Sequence, residues 1–148
     1  MNTRKRIPRI GIVTFPLGEA NITPFLNFAN ISYSVSSELY VITGGSSTIL
    51  HRDYNNLHIY LINHKTGANA FTRIMNYAYA QLKILCKLAK VSRNVDVWLF
   101  PIGGEALLPT MLIAKLLRKP VILALTSSTA KMVEVRKDIL SKVVVYLE

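Results

Sequence analysis

The feature that most constrains this chain is a rhythm: short β-branched apolar runs alternate with longer segments of helical spacing. The runs predict strands over 9–15, 38–43, 57–62, 95–100, 120–125 and 142–147, each of ordinary strand length. The segments between them predict helices over about 24–36, 68–91, 105–117 and 129–140. Pro16, Gly18, Gly44-Gly45, Pro101 and Gly103-Gly104 punctuate the changes. The order is β-α-β-β-α-β-α-β-α-β. Several of the strands are continuously apolar rather than alternating, as in a parallel sheet covered on both faces. With right-handed crossovers the expectation is an α/β fold, a doubly wound, mostly parallel, Rossmann-like sheet.

Two helices can be read in more detail. Thr23 before Pro24 suggests an N-cap followed by proline at the first helical position. In the long helix, Phe71, Ile74, Met75, Ala78, Leu82, Leu85, Cys86 and Ala89 recur at spacings of three and four. That periodicity predicts one apolar face turned to the core, with Cys86 as a core thiol. Arg73, Lys83, Lys87 and Lys90 lie on the same helix, and no acid balances them.

The 148 residues fit one domain, 1–148, with a short basic tail at 1–8. A hydrophobic fraction of 51% against 18% charged residues excludes intrinsic disorder. One cysteine excludes a disulfide framework and a cysteine-rich zinc site. The most apolar region, 97–114, is interrupted by Gly103, Gly104, Glu105 and Pro109, short of the roughly 20 apolar residues a membrane span needs. The basic start lacks the apolar stretch of a signal peptide, so the expected location is cytoplasmic.

Eighteen Lys and Arg against eight Asp and Glu call for an anionic partner. The imbalance has a geography: eleven cations and three acids up to residue 94, then seven and five. No nucleic-acid motif accompanies the charge, which argues against nucleic acid. Cations beside an amphipathic helix instead suit an anionic lipid surface, hence peripheral residence on the inner face of a membrane, or a phosphorylated acceptor. A solvated helix face that keeps the protein soluble accounts for the same charges.

Ligands of doubly wound sheets bind outside the carboxyl ends of the strands. Here that edge consists of residues 16–20, 43–47, 101–105 and 126–129, and three of these four loops contain glycine. Glycine lets a phosphate or sugar approach backbone amides at helix N-termini, but it equally serves tight strand-to-helix turns. Glu105 and Glu19 invite two readings each, as a general acid or base or as a helix-dipole partner. No G-x-G-x-x-G follows the first strand, and there is no P-loop and no G-x-S-x-G elbow. A self-sufficient dehydrogenase, a P-loop ATPase and an α/β-hydrolase are thereby disfavoured. His51, His58 and His64 lack a metal-ligand spacing, so no metal is expected and their roles read as structural.

The opening R-I-G-I-V-T-F with its Pro- and Gly-containing loop resembles the start of GT-B glycosyltransferases. So does V-D-V-W-L-F-P-I-G-G-E-A-L-L-P-T-M-L-I-A-K-L-L-R-K-P-V-I-L-A-L-T. The chain is most similar to the N-terminal, acceptor-side domain of family-4 members. The resemblance implies transfer of a sugar from a nucleotide-sugar, a co-substrate rather than a resident cofactor, to an acceptor that is often lipid-linked. It also implies that Gly18 and Glu19 face the interdomain cleft and that Gly103, Gly104 and Glu105 line the acceptor side, with Gly44 and Gly45 as weaker carry-overs. The loop after the fifth strand, where many members carry histidine, holds Thr126, Ser127 and Ser128 here. The family's E-x7-E pair has no counterpart, and the sequence stops within its sixth apolar run. The expectation is half of a functional unit, inactive alone, completed by a C-terminal donor domain or a separate subunit. The alternative is a non-catalytic module that docks on an anionic membrane or a partner protein.

Overall fold

The computed structural model describes residues 6–18, 21–44, 55–63, 69–102 and 104–124. Five parallel strands form one sheet: β1 (Arg9–Val13), β2 (Glu38–Thr43), β3 (Leu57–Leu61), β4 (Val97–Phe100) and β5 (Val121–Leu123). Their spatial order is β3-β2-β1-β4-β5. Among the described residues, three α-helices flank them: α1 (Ile22–Ser34), α2 (Ala70–Val91) and α3 (Leu108–Leu116). The doubly wound α/β expectation is met. The predicted helix over 129–140 and strand over 142–147 lie outside the described residues.

Strand pleating divides the core in two. Ile10, Ile12, Leu39 and Val41 point to the face covered by Phe25 and Ala29 of α1. Val13, Tyr40, Ile42, Trp98 and Phe100 point to the other face, where Ile84, Leu88 and Val91 of α2 and Met111 and Ala114 of α3 close over them. Gly11 pairs with Trp98 across β1 and β4. A Cβ at position 11 would fall on the indole ring of Trp98, so the glycine is where the largest buried side chain crosses the sheet. The Trp98 Nε1–H donates to Ser92 Oγ at 3.0 Å, which satisfies the ring's buried donor.

Element ends differ from the sequence expectation by a few residues, with local causes. Helix α1 starts at Ile22 after Asn21, so Pro24 occupies the third helical position rather than the first. Its missing N–H falls among donors that the first turn leaves unpaired anyway. Thr23 is therefore helical and not a cap. Ahead of α3, residues Gly104–Leu107 form a 3₁₀ turn, and Pro109 sits at the start of the α-helix proper.

The larger correction concerns α2. The face expected to be buried is exposed: Phe71 is 73% accessible, and Ile74, Met75 and Leu82 are also exposed. Cys86 is exposed with them and is no core thiol. The buried residues are Ala80, Gln81, Ile84, Leu88 and Val91. These too follow a helical period, so the helix carries two apolar stripes. Small Ala80 and branched Ile84 and Val91 pack closely on the sheet, leaving the bulkier stripe outward.

At the amino ends of the strands, Arg9 and Asp96 lock β1 to the approach to β4. The Arg9 backbone N–H donates to Asp96 Oδ2 at 2.9 Å, and its guanidinium lies 3.1 Å from Oδ1. Hydrogen bonds from the Arg9 side chain and then its backbone hold the Asp96 carboxyl below its ordinary 3.8. The carboxylate thus adds stability above its unfolded-state value, and this is lost as pH falls through the lower folded value. Asp96→Asn should cost about 1 kcal/mol at neutral pH, modest because the pair is partly exposed. In acid denaturation followed by circular dichroism, the gap between variant and wild type should close below about pH 4.

Candidate functional site

The order β3-β2-β1-β4-β5 reverses direction between β1 and β4, and a doubly wound sheet opens its ligand crevice at that switch, outside the carboxyl ends. The loops entering it are 14–18 after β1 and 101–107 after β4. At the base, the Thr14 hydroxyl donates to Thr43 Oγ1 at 2.8 Å, and both residues are fully buried. The Thr14 N–H reaches the Ile42 carbonyl at 3.0 Å and the Leu17 N–H reaches that of Gly44 at 3.2 Å. The first loop is thereby tied to the end of β2.

A side-chain network from α2 holds the opposite loop. The Tyr77 hydroxyl donates to the Ala106 carbonyl at 2.7 Å. The buried Gln81 amide donates to that same carbonyl and, at 2.9 Å, to the Tyr77 hydroxyl oxygen. The Tyr77 ring also lies 5.1 Å, centroid to centroid, from Phe15 in the first loop. One tyrosine therefore touches both loops. Tyr77→Phe should weaken the wall at Ala106 by about 1 kcal/mol, read as faster amide exchange over 104–107 with little change in the core amides.

The candidate residues fall as follows. Gly18 is exposed, and a Cβ there meets nothing within 4 Å. Gly104 and Glu105 lie in the 3₁₀ turn that Tyr77 and Gln81 pin through Ala106. Gly44 ends β2 where a Cβ would run into the Ile62 carbonyl oxygen and come within 2.9 Å of Pro16 Cγ. Close approach of three loops thus explains this glycine. Glu19, Gly45, Gly103, Thr126 and Ser127 lie outside the described residues, as do His51 and His64. The loops that hold Gly18 and that hold Gly104 and Glu105 follow the paired strands β1 and β4.

Tyr77, Gln81 and Thr14 were not singled out from the sequence, and Thr43 entered only as the first residue of the 43–47 loop. A lone Gln81 within an otherwise buried stripe was the available signal. His58 lies in β3 near the opposite edge, stacked on Tyr40 with ring centroids 4.6 Å apart and 3.7 Å from Glu38. Burial, followed by the hydrogen bond to Glu38, pushes the Tyr40 phenol up to about 12. Glu38, Tyr40 and His58 sit in the first halves of β2 and β3, toward the amino ends of the strands.

No protein-family model matches the chain, and no curated protein is significantly similar in sequence. Solved structures do match. The glycosyltransferase of kitacinnamycin superposes with a TM-score of 0.58 at 13% identity, over 80% of this chain and 30% of its own. A UGT transferase from Siraitia grosvenorii in complex with UDP gives 0.56 at 13% identity, over 84% and 30%. MurG from Acinetobacter baumannii gives 0.52 at 18% identity, over 78% and 34%. The same topology also occurs as an almost complete chain in the C-terminal domain of the PF1911 hydrogenase from Pyrococcus furiosus, with a TM-score of 0.59, 10% identity and 97% of that chain covered. This chain thus spans about a third of the length of the glycosyltransferases it matches. What it shares with them is architecture: its fold is that of one Rossmann-like domain of the GT-B type.

Proposed function

We propose that this domain is the acceptor-side half of a glycosyltransferase that moves a sugar from a nucleotide-sugar to an acceptor hydroxyl, including that of a lipid-linked acceptor. The observation that supports the reading is the reversal of strand order between β1 and β4, with the loops after both strands touching Tyr77. In the transfer the acceptor oxygen bonds to the anomeric carbon as the bond to the diphosphate breaks, and the hydroxyl proton passes to a base. Glu105 is the group on this domain proposed for that base, with Gly18, Glu19, Gly103, Gly104, Thr126 and Ser127 lining the acceptor side. The donor half, a C-terminal domain or separate subunit, holds the nucleotide and stabilises the departing diphosphate.

The test is transfer of radiolabelled sugar by the chain alone and by the chain joined to a donor half. Transfer is expected only when both are present, and Glu105→Gln should lower kcat by about a hundredfold with folding intact. Transfer by the isolated chain would overturn the division of labour.

A second reading, a non-catalytic module on an anionic membrane, is favoured by one observation. The exposed apolar stripe of α2 runs beside Lys83, Lys87 and Lys90, and no acid occurs on the helix. Among the described residues no helix is long and apolar enough to cross a membrane, so the contact proposed is peripheral.

A further inference from the structure

Apart from the acceptor reading, and sharing its lysines with the membrane reading, the end of β3 and the outer side of α2 form a cleft of about 320 Å³. Its polar lining is Asn63, Lys83, Cys86, Lys87 and Lys90, with no carboxylate among the lining residues. Two of the three ammonium groups are held in place by rings. Lys83 Nζ lies 4.2 Å from the Tyr79 ring centroid and Lys87 Nζ 4.5 Å from that of Tyr60. Lys83 and Lys87 stand four residues apart and Lys90 three further on, spacings at which like charges on a helix repel. No Asp or Glu occurs between Ala70 and Val95 to relieve them. A concave surface with one sign of charge focuses the field into the cleft.

We infer that this cleft binds a phosphate-bearing anion. Lysine meets phosphate as a point charge without demanding a planar fork, and three ammoniums spread along about 10 Å of helix suit more than one phosphate oxygen. The cleft is sized for a compact group such as a diphosphate or a sugar phosphate. The Asn63 amide, exposed at the end of β3, supplies a further polar contact. The same chemistry is offered by a free phosphorylated compound and by a phospholipid headgroup, and the experiment separates the two.

Cys86 is the chain's one cysteine, is exposed, and lines the cleft, so it reports occupancy. The rate of its alkylation by iodoacetamide, a neutral reagent, is measured on the full chain with pyrophosphate, with phosphatidylglycerol vesicles and with phosphatidylcholine vesicles. At ten times the dissociation constant, an occupant should slow labelling about tenfold. Lys83→Gln/Lys87→Gln/Lys90→Gln should abolish that protection. The charge-matched Lys115→Gln/Arg118→Gln/Lys119→Gln should retain it. Protection by pyrophosphate identifies a soluble anion as the occupant. Protection by phosphatidylglycerol alone identifies a headgroup. Absence of protection in both, its survival in the cleft variant, or equal loss in the charge-matched control overturns the site. Circular dichroism verifies folding of the triple variants, and Lys87→Gln alone, expected to weaken protection severalfold, tests the site with minimal disturbance.

Discussion

Trp98→Ala should destabilise the domain by about 3–5 kcal/mol, more than any other single truncation in the described core. The indole is fully buried between the sheet and the α2/α3 layer, and it is the largest such side chain. Its removal takes away the transfer energy of an aromatic ring and leaves a hollow that rigid β1 cannot fill, because the residue across from it is Gly11. The Ser92 hydroxyl also loses its donor. Denaturant unfolding measures the loss as a lower midpoint at similar slope. The reciprocal change sharpens the argument. Gly11→Ala should cost about 1–3 kcal/mol through overpacking against the indole. In the double variant Gly11→Ala/Trp98→Ala the added methyl enters the vacated space, so the combined loss should fall clearly below the sum. Strict additivity would mean that the two residues do not share the space the structure assigns them.

The second large effect concerns the outer stripe of α2. If this surface docks on an anionic bilayer, Phe71→Ser/Ile74→Ser/Leu82→Ser should weaken binding to phosphatidylglycerol vesicles about a hundredfold, judged at roughly 1 kcal/mol for each side chain partly withdrawn from the interface. All three are more than half exposed in the domain, so its melting temperature should change little. Vesicle co-sedimentation reads the effect. The cleft lysines separate the contributions: their loss should weaken binding at low salt and flatten its fall with added salt at the wild-type stripe. Equal binding by wild type and the serine variant would remove the membrane reading. It would leave pyrophosphate binding in the cleft untouched, because none of the three residues lines it.

How far the sequence foretold this structure depends on which interactions decide each element. Strands β1 to β5 were legible because continuous runs such as Leu39–Ile42 leave little choice but a sheet buried on both faces. The parallel, doubly wound class followed from the helices that separate most of the strands, whereas the spatial order β3-β2-β1-β4-β5 was not read from the sequence. The facing of α2 was not legible. Apolar residues occupy most of its circumference, and the choice between the stripes rests on how closely Ala80 and Ile84 approach a sheet that the local sequence does not contain. The loops expected at the strand ends are described only in part, over 16–18, 43–44, 101–102 and 104–105. The Tyr77 and Gln81 bonds that pin one of them join residues 25 to 29 apart, beyond any periodicity in the chain.

The pairing of β1 with β4 carries a temporal consequence. The Arg9 backbone and side chain reach Asp96, 87 residues later, whereas the β2 partner of β1 lies within the first third of the chain. During synthesis a β1-β2-β3 sheet can assemble early, but β1 then presents an unpaired edge until β4 emerges. At an elongation rate of about 5–20 residues per second, the residues between β3 and β4 alone take a few seconds to appear. The central strand of the finished sheet is thus, for that interval, its exposed margin. Slower translation between β3 and β4 should lengthen the period in which the nascent domain is open to mispairing.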